Sequence, residues 1–114
     1  MINDLVINKQ IRKILFHNKI SFLTSQRLYL KNDSKKYRVP DFYLPDQNIV
    51  VEYFSSWEVA ENVVFQKNER TRFMKKVEVY GENKYNCLFI YPNEVGALEE
   101  LILGFIKKII EYNK

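Results

Sequence analysis

Two strand-like runs joined by a short cluster of turn formers constrain the fold of this chain more than any other feature. Residues 38–44 and 49–54 are rich in aromatic and β-branched residues, and Pro-Asp-Gln-Asn lies between them at residues 45–48. Such runs separated by turn-forming residues are typical of a β-hairpin. We therefore expect a hairpin at the centre of the fold.

A four-residue loop would fix the register of this hairpin. Leu44 would pair with Ile49, and three rungs further Asp41 would face Glu52. Directly opposed side chains of an antiparallel pair have Cβ atoms roughly 5 Å apart on one face. Two carboxylates at that separation can share a hard divalent cation, so Asp41 and Glu52 are the candidate metal ligands.

The totals favour one compact intracellular domain. The 114 residues are 46% hydrophobic and 28% charged, with three Gly and three Pro, so we expect a single domain over residues 1–114. One cysteine, Cys87, excludes an internal disulfide and favours a reducing, cytoplasmic location. Polar residues interrupt the N-terminal region, which argues against a signal peptide or a membrane span. The net charge of +4 is compatible with a polyanionic partner such as DNA.

The other periodicities predict an α/β fold in the order αβββαβα, a mixed sheet flanked by helices. The predicted helices are residues 3–17, residues 55–80 with Gly81 as the stop, and a final helix capped by Asn93; the additional strands are residues 20–30 and 85–91. The final helix carries an apolar stripe from Leu98 to Ile109. Leu103 and Ile110 lie off that stripe, and this surplus apolar surface predicts a homodimer.

Both faces of the hairpin are mostly apolar, which predicts a sheet covered on both sides. One face is expected to hold Phe42, Leu44, Ile49, Val51 and Tyr53, and the other Val39, Tyr43, Val50 and Phe54 around the two acids.

The helix predicted at residues 55–80 has an unusual inward stripe. Projection at 100° per residue places one set of residues on it: Val63, Gln66, Lys67, Arg70, Phe73, Met74, Val77 and Tyr80. Its first half contains polar residues where a core would hold Leu or Ile. We therefore expect Gln66, Lys67 and Arg70 to point into a polar cavity at one end of the sheet.

This ordered set of residues resembles the PD-(D/E)XK nuclease superfamily. Pro40-Asp41 matches the name-giving dipeptide, and Glu52 stands where the second acid is expected. The hairpin is similar to helicase-associated nuclease domains and Holliday-junction resolvases. Glu69 with Arg72, followed by an apolar strand and Asn93-Glu94-Val95, is similar to very-short-patch-repair-like endonucleases.

The resemblance implies a restriction-endonuclease-like fold and a metal-dependent DNA endonuclease, acting on branched or damaged DNA. Asp41 and Glu52 would hold Mg²⁺ or Mn²⁺. Phe54 occupies the position of the family's lysine, and some members are similar in carrying that lysine on the following helix, where Lys67 is the candidate. Gln66 and Arg70 would hold the phosphate or its attacking water. The flanking basic residues would grip the DNA backbone: Lys31, Lys35, Lys36, Arg38, Arg72, Lys75 and Lys76.

Other interpretations remain open from the sequence. Asp41 and Glu52 are also consistent with an exposed hairpin pair, and Lys67 and Arg70 with a solvated helix face. A basic loop such as residues 31–36 is more often a solubility feature than a DNA clamp. The alternatives to a nuclease are a degenerate nuclease that binds nucleic acid without cleaving it and a protein-interaction domain.

Overall fold

The computed structural model describes residues 4–54 and 63–113, and over residues 63–70 it describes the helical backbone only. These residues form a three-stranded mixed sheet with helices on both faces. The elements in chain order are α1 (Asp4–His17), β1 (Phe42–Leu44), β2 (Ile49–Tyr53), α2 (Val63–Glu82), β3 (Asn86–Ile90), a 3₁₀ helix (Pro92–Ala97) and α3 (Leu98–Tyr112). The expected α/β class is confirmed.

The sheet has the strand order β1-β2-β3, so β2 is central. β1 and β2 are antiparallel, with Phe42 opposite Val51 and Leu44 opposite Ile49, which confirms the register expected for a four-residue loop. β2 and β3 are parallel, and α2 provides the crossover between them. A central strand with helices on both sides explains why all five residues of β2 are buried.

Helices α1 and α3 cover one face of the sheet. Their buried residues recur every four positions, which places them on a single helical stripe: Ile7, Ile11 and Leu15 on α1, and Leu98, Ile102 and Ile106 on α3. They pack with Phe42, Leu44, Ile49, Val51 and Tyr53 in one cluster. The predicted apolar stripe of α3 and the predicted apolar face of the hairpin that holds Phe42, Leu44, Ile49, Val51 and Tyr53 are therefore confirmed.

The opposite face of the sheet packs against α2 and the segment before β1. Val50, Leu28 and Tyr80 form the buried centre of this second cluster, with Tyr43 and Phe89 packed around it. Val39, which we expected on this face, is 47% exposed because β1 does not begin until Phe42.

The first strand predicted at residues 20–30 is wrong. In its place, two isolated antiparallel bridges join Leu23 to Tyr43 and Leu28 to Arg38. Ser25, between the two bridges, has φ of +57°, a left-handed conformation that no regular strand contains. The segment therefore borders the edge of β1 without extending the sheet as a strand.

Two predicted helix ends are also wrong. Gly81 lies inside the last turn of α2, and the chain leaves this helix through Lys84, whose φ is +64°. Asn93 lies within the 3₁₀ helix. At the start of that helix the Tyr91 N–H donates to a Glu94 carboxylate oxygen at 3.0 Å, and the Glu94 N–H donates to the Tyr91 carbonyl at 2.9 Å. None of the helices in the described ranges is long and apolar enough to cross a membrane.

Candidate active site

Asp41 uses its carboxylate to complete the backbone hydrogen bonding of β2. Tyr43 exchanges both of its backbone hydrogen bonds with Leu23, so the rungs of the β1–β2 ladder that carry hydrogen bonds fall at Phe42 and Leu44. The next acceptor in that pattern would be the carbonyl of Pro40. Instead, the Tyr53 N–H donates to Asp41 Oδ2 at 2.8 Å. The predicted ladder pairing of Asp41 with Glu52 is therefore wrong, because the ladder ends one rung earlier.

Glu52 projects from the central strand toward α2 and is only 7% exposed. Its Oε1 accepts a hydrogen bond from Lys76 Nζ at 2.9 Å. The other oxygen, Oε2, is also buried. The buried hydroxyl of Tyr80, one helical turn after Lys76, is close enough to interact with this carboxyl: it lowers the pKa of Glu52, and burial together with the carboxyl raises the pKa of Tyr80. Glu52 thus interacts with both Lys76 and Tyr80.

Both carboxyl groups have raised pKa values. Burial is the main cause for each. The Tyr53 N–H opposes the rise at Asp41, and the Lys76 ammonium opposes it at Glu52. The charge of Asp41 also raises the pKa of Glu52, and the charge of Asp4 at the start of α1 raises the pKa of Asp41. The two acids are thus close enough to interact electrostatically.

Lys76 is the lysine that the described structure brings to the acids. Its ammonium lies 4.8 Å from the centre of the Phe54 ring as well as 2.9 Å from Glu52. Phe54 itself packs in an aromatic cluster, with ring centres 5.7 Å from Phe73, 5.2 Å from Phe89 and 6.2 Å from Tyr91. Lys76, which we expected to contact the DNA backbone, thus lies beside Phe54, the position at which the nucleases that this sequence resembles carry a lysine.

The predicted inward stripe of α2 is confirmed at Phe73 and Tyr80, which are half-buried and fully buried, and wrong at Met74 and Val77. Met74 is 60% exposed and Val77 is 39% exposed, whereas Val79, off the predicted stripe, is fully buried. The inward face is therefore displaced toward Lys76 and Val79. Lys76 lies between Phe73 and Tyr80 at spacings of three and four, which was the sequence signal that could have identified it.

The described part of the structure does not bring the other predicted site residues together. Gln66, Lys67 and Arg70 lie where only the helical backbone is described, so their predicted roles stay predictions. Lys35 and Lys36 are exposed on the loop before β1.

Arg38 is buried, and its guanidinium is bidentate on Asp33, with Nε 2.7 Å from Oδ2 and Nη2 3.1 Å from Oδ1. Arg72 and Lys75 lie on the side of α2 that faces this turn. Together with Lys35 and Arg38 they line a cleft of about 480 Å³, which we call the basic cleft; its lining is completed by the hydroxyls of Ser34 and Thr71.

The carboxylates suit a hard divalent cation. Mg²⁺ is commonly bound through one or two carboxylates, with water completing its ligands. The raised pKa values of both acids fit a site that a cation would stabilise. Within the described residues there is no group of three His, Cys, Asp or Glu side chains that could hold a metal.

Comparisons of this chain with protein-family models, with curated proteins and with solved structures gave no match.

Proposed function

We propose that this protein is a metal-dependent DNA endonuclease that hydrolyses phosphodiester bonds. The observation that carries the proposal is the contact of Lys76 with Glu52, beside Asp41 and at the edge of a basic surface. Two neighbouring acids, of which Glu52 is buried, could anchor a divalent cation, and a lysine beside them could stabilise negative charge on a phosphate. The restriction-endonuclease-like fold, the homodimer and the cytoplasmic location inferred from the sequence belong to this proposal.

Each residue has a separate task. Asp41 and Glu52 would hold Mg²⁺ or Mn²⁺, which when bound polarises a phosphoryl oxygen. The Lys76 ammonium stabilises negative charge on the phosphate and orients the attacking water. Phe54 packs among other aromatic rings and carries no charge. The ammonium of Lys76, which forms an ion pair with Glu52, therefore takes this task. Lys67 keeps its predicted role as a second candidate for this task.

A cleavage assay tests the proposal. Wild-type protein is incubated with Mg²⁺ or Mn²⁺ and with duplex, single-stranded and four-way-junction DNA of one sequence. We expect cleavage of at least one substrate, and its loss in Asp41→Asn, Glu52→Gln and Lys76→Met. Lys108→Met, an exposed substitution on α3 away from Leu103 and Ile110, is the matched control and should cleave like wild type. Equal cleavage by wild type and by Glu52→Gln would remove Glu52 from the active site and overturn the proposal.

One observation favours a second candidate, a protein that binds nucleic acid without cleaving it. Lys76 already neutralises Glu52, so the ion pair provides the positive charge that a divalent cation would otherwise bring. Salt-sensitive DNA binding without cleavage in either metal ion would support this candidate and exclude the nuclease. Absence of both binding and cleavage would exclude both.

A further inference from the structure

The basic cleft concentrates positive charge between the turn before β1 and the exposed side of α2. Four of its six lining residues are cationic, namely Lys35, Arg38, Arg72 and Lys75, and the other two carry hydroxyls. The carboxylate of Asp33 is bound to Arg38. Four cations against one carboxylate give the described side chains of this region a net charge of +3.

Arg38 is held in a fixed orientation at the cleft. Its side chain is only 7% exposed, and its backbone exchanges two hydrogen bonds with Leu28, at 2.8 and 2.9 Å. Asp33 accepts from Nε and Nη2. Within the described part of the chain, Nη1 has no hydrogen-bond partner. A guanidinium immobilised by a carboxylate on one side offers its remaining donors at little entropic cost.

Two of the basic residues of the cleft belong to one helix. Arg72 and Lys75 are three residues apart on α2, which places both on the side of the helix that lines the cleft. Lys75 is half-buried, and its charge reaches Asp33 and thus the Arg38 side of the cleft. On an ordinary solvated surface these charges would be spread apart. Here the residues that carry them line one cleft.

We propose that the basic cleft binds a phosphate group of a nucleic-acid strand. A tetrahedral phosphate accepts hydrogen bonds from several directions, which matches a cleft lined by residues that carry guanidinium, ammonium and hydroxyl groups. The group can be a terminal phosphate or an internal phosphodiester, since both present the same oxygens.

The position of the cleft relative to the acids extends the proposed function. Lys75 lines the cleft and the adjacent Lys76 contacts Glu52, while Arg38 precedes Asp41 by three residues. A strand anchored in the cleft would therefore run past the two acids. This second step rests on the proposed function, whereas phosphate binding by the cleft does not.

Binding of inorganic phosphate tests the cleft directly. Backbone amide NMR signals of residues 34–38 and 71–75 are followed during titration of wild type, Lys35→Gln and Lys75→Gln. Lys107→Gln and Lys108→Gln on α3 are matched controls that remove the same charge from an exposed surface. We expect both cleft variants to require about tenfold more phosphate, as loss of one charge-assisted hydrogen bond predicts. The controls should match wild type.

Oligonucleotides of one sequence distinguish the two sources of phosphate. They carry a 5′-phosphate, a 3′-phosphate or hydroxyls at both ends, and binding is measured in the Asp41→Asn background so that no substrate is cut. A terminal phosphate in the cleft predicts that Lys75→Gln weakens only one phosphorylated strand. An internal phosphate predicts equal weakening of all three and a salt dependence whose log–log slope falls by about one.

Two results would overturn the inference. One is that phosphate shifts signals outside the cleft and leaves residues 34–38 and 71–75 unchanged. The other is that Lys75→Gln weakens phosphate and oligonucleotide binding no more than Lys107→Gln does. Because both readouts measure binding, failure of cleavage in wild type would remove the proposed function and leave the cleft standing.

Discussion

Lys76 and Glu52 form an ion pair of 2.9 Å between the middle of α2 and the central strand of the sheet. The carboxylate side chain is 9% exposed and the lysine side chain 25% exposed, so the pair lies at the boundary between core and solvent. Such a pair has two roles that mutation can separate. It neutralises a carboxylate that burial disfavours, and it positions an ammonium beside the aromatic cluster of Phe54.

Lys76→Met should destabilise the protein by about 1–3 kcal/mol at neutral pH. The substitution removes the partner of a buried carboxylate and also the ammonium that lies 4.8 Å from the centre of the Phe54 ring. Urea unfolding measures the change. Lys75→Met, one residue away and directed at the basic cleft, is the control for loss of charge on α2 and should cost less. Equal losses from the two substitutions would show that the ion pair contributes nothing specific.

Asp41→Asn and Asp41→Ala should separate the structural role of this carboxyl from metal binding. Asparagine still offers an oxygen to the Tyr53 N–H, so its stability should be near that of wild type, whereas alanine leaves this donor unpaired and should cost about 1–3 kcal/mol. Both variants lose the charge that would attract a divalent cation.

Thermal unfolding with Mn²⁺ provides the second readout for these two variants. At a concentration of about 100 Kd, a cation that binds the folded state stabilises it by about 2.7 kcal/mol. Wild type should gain this stabilisation and both variants should lose it. The same gain in Asp41→Asn as in wild type would remove Asp41 from the metal site.

The pH dependence of stability should reveal the raised pKa of Asp41. Burial raises the pKa of this carboxyl in the folded state, so between about pH 4 and that raised value the folded protein binds more protons than the unfolded chain. The free energy of unfolding of wild type therefore falls as pH rises through this window. Asp41→Asn has no carboxyl at this position to titrate, so its stability does not fall for this reason.

The stability of Asp41→Asn relative to wild type should therefore increase as pH rises from about 4. Chemical denaturation at several pH values measures this difference. Asp46→Asn, on the exposed hairpin loop, controls for the chemistry of the substitution. A difference between Asp41→Asn and wild type that does not change with pH would contradict the raised pKa.

The hairpin and the outer helices could be predicted because local patterns determine them. The loop at residues 45–48 fixes the register of β1 and β2, and the four-residue spacing of Ile7, Ile11 and Leu15 fixes the buried side of α1. Such signals act over a few residues and need no knowledge of distant partners.

The orientation of α2 was harder to predict because its apolar residues lie on several sides. Met74 and Val77 are exposed although they are apolar, and Lys76 is directed inward because Glu52 and the Phe54 ring provide partners for its ammonium. Glu52 on β2 therefore determines which side of α2 faces inward. Similarly, the segment at residues 20–30 has the composition of a strand, but the left-handed Ser25 divides it into two bridges.

Asn48 should be the residue of the hairpin loop that is least tolerant of substitution. Its φ is +56°, which asparagine and glycine adopt more readily than other residues. Its side chain accepts from the Tyr43 hydroxyl at 2.8 Å and donates to the Lys84 carbonyl at 2.9 Å, and its own carbonyl accepts from the Asn86 N–H at 3.0 Å. The hairpin is thus tied to the start of β3.

Asn48→Ala should lose both side-chain hydrogen bonds and add backbone strain, at a cost of about 2–4 kcal/mol. Asn48→Gly loses the same two hydrogen bonds without the strain and should be about 1 kcal/mol more stable than the alanine variant. Asp46→Ala, at an exposed position of the same loop, should change stability by less than about 0.5 kcal/mol in the same urea experiment. An alanine variant at least as stable as the glycine variant would show that the left-handed conformation of Asn48 imposes no cost on the fold.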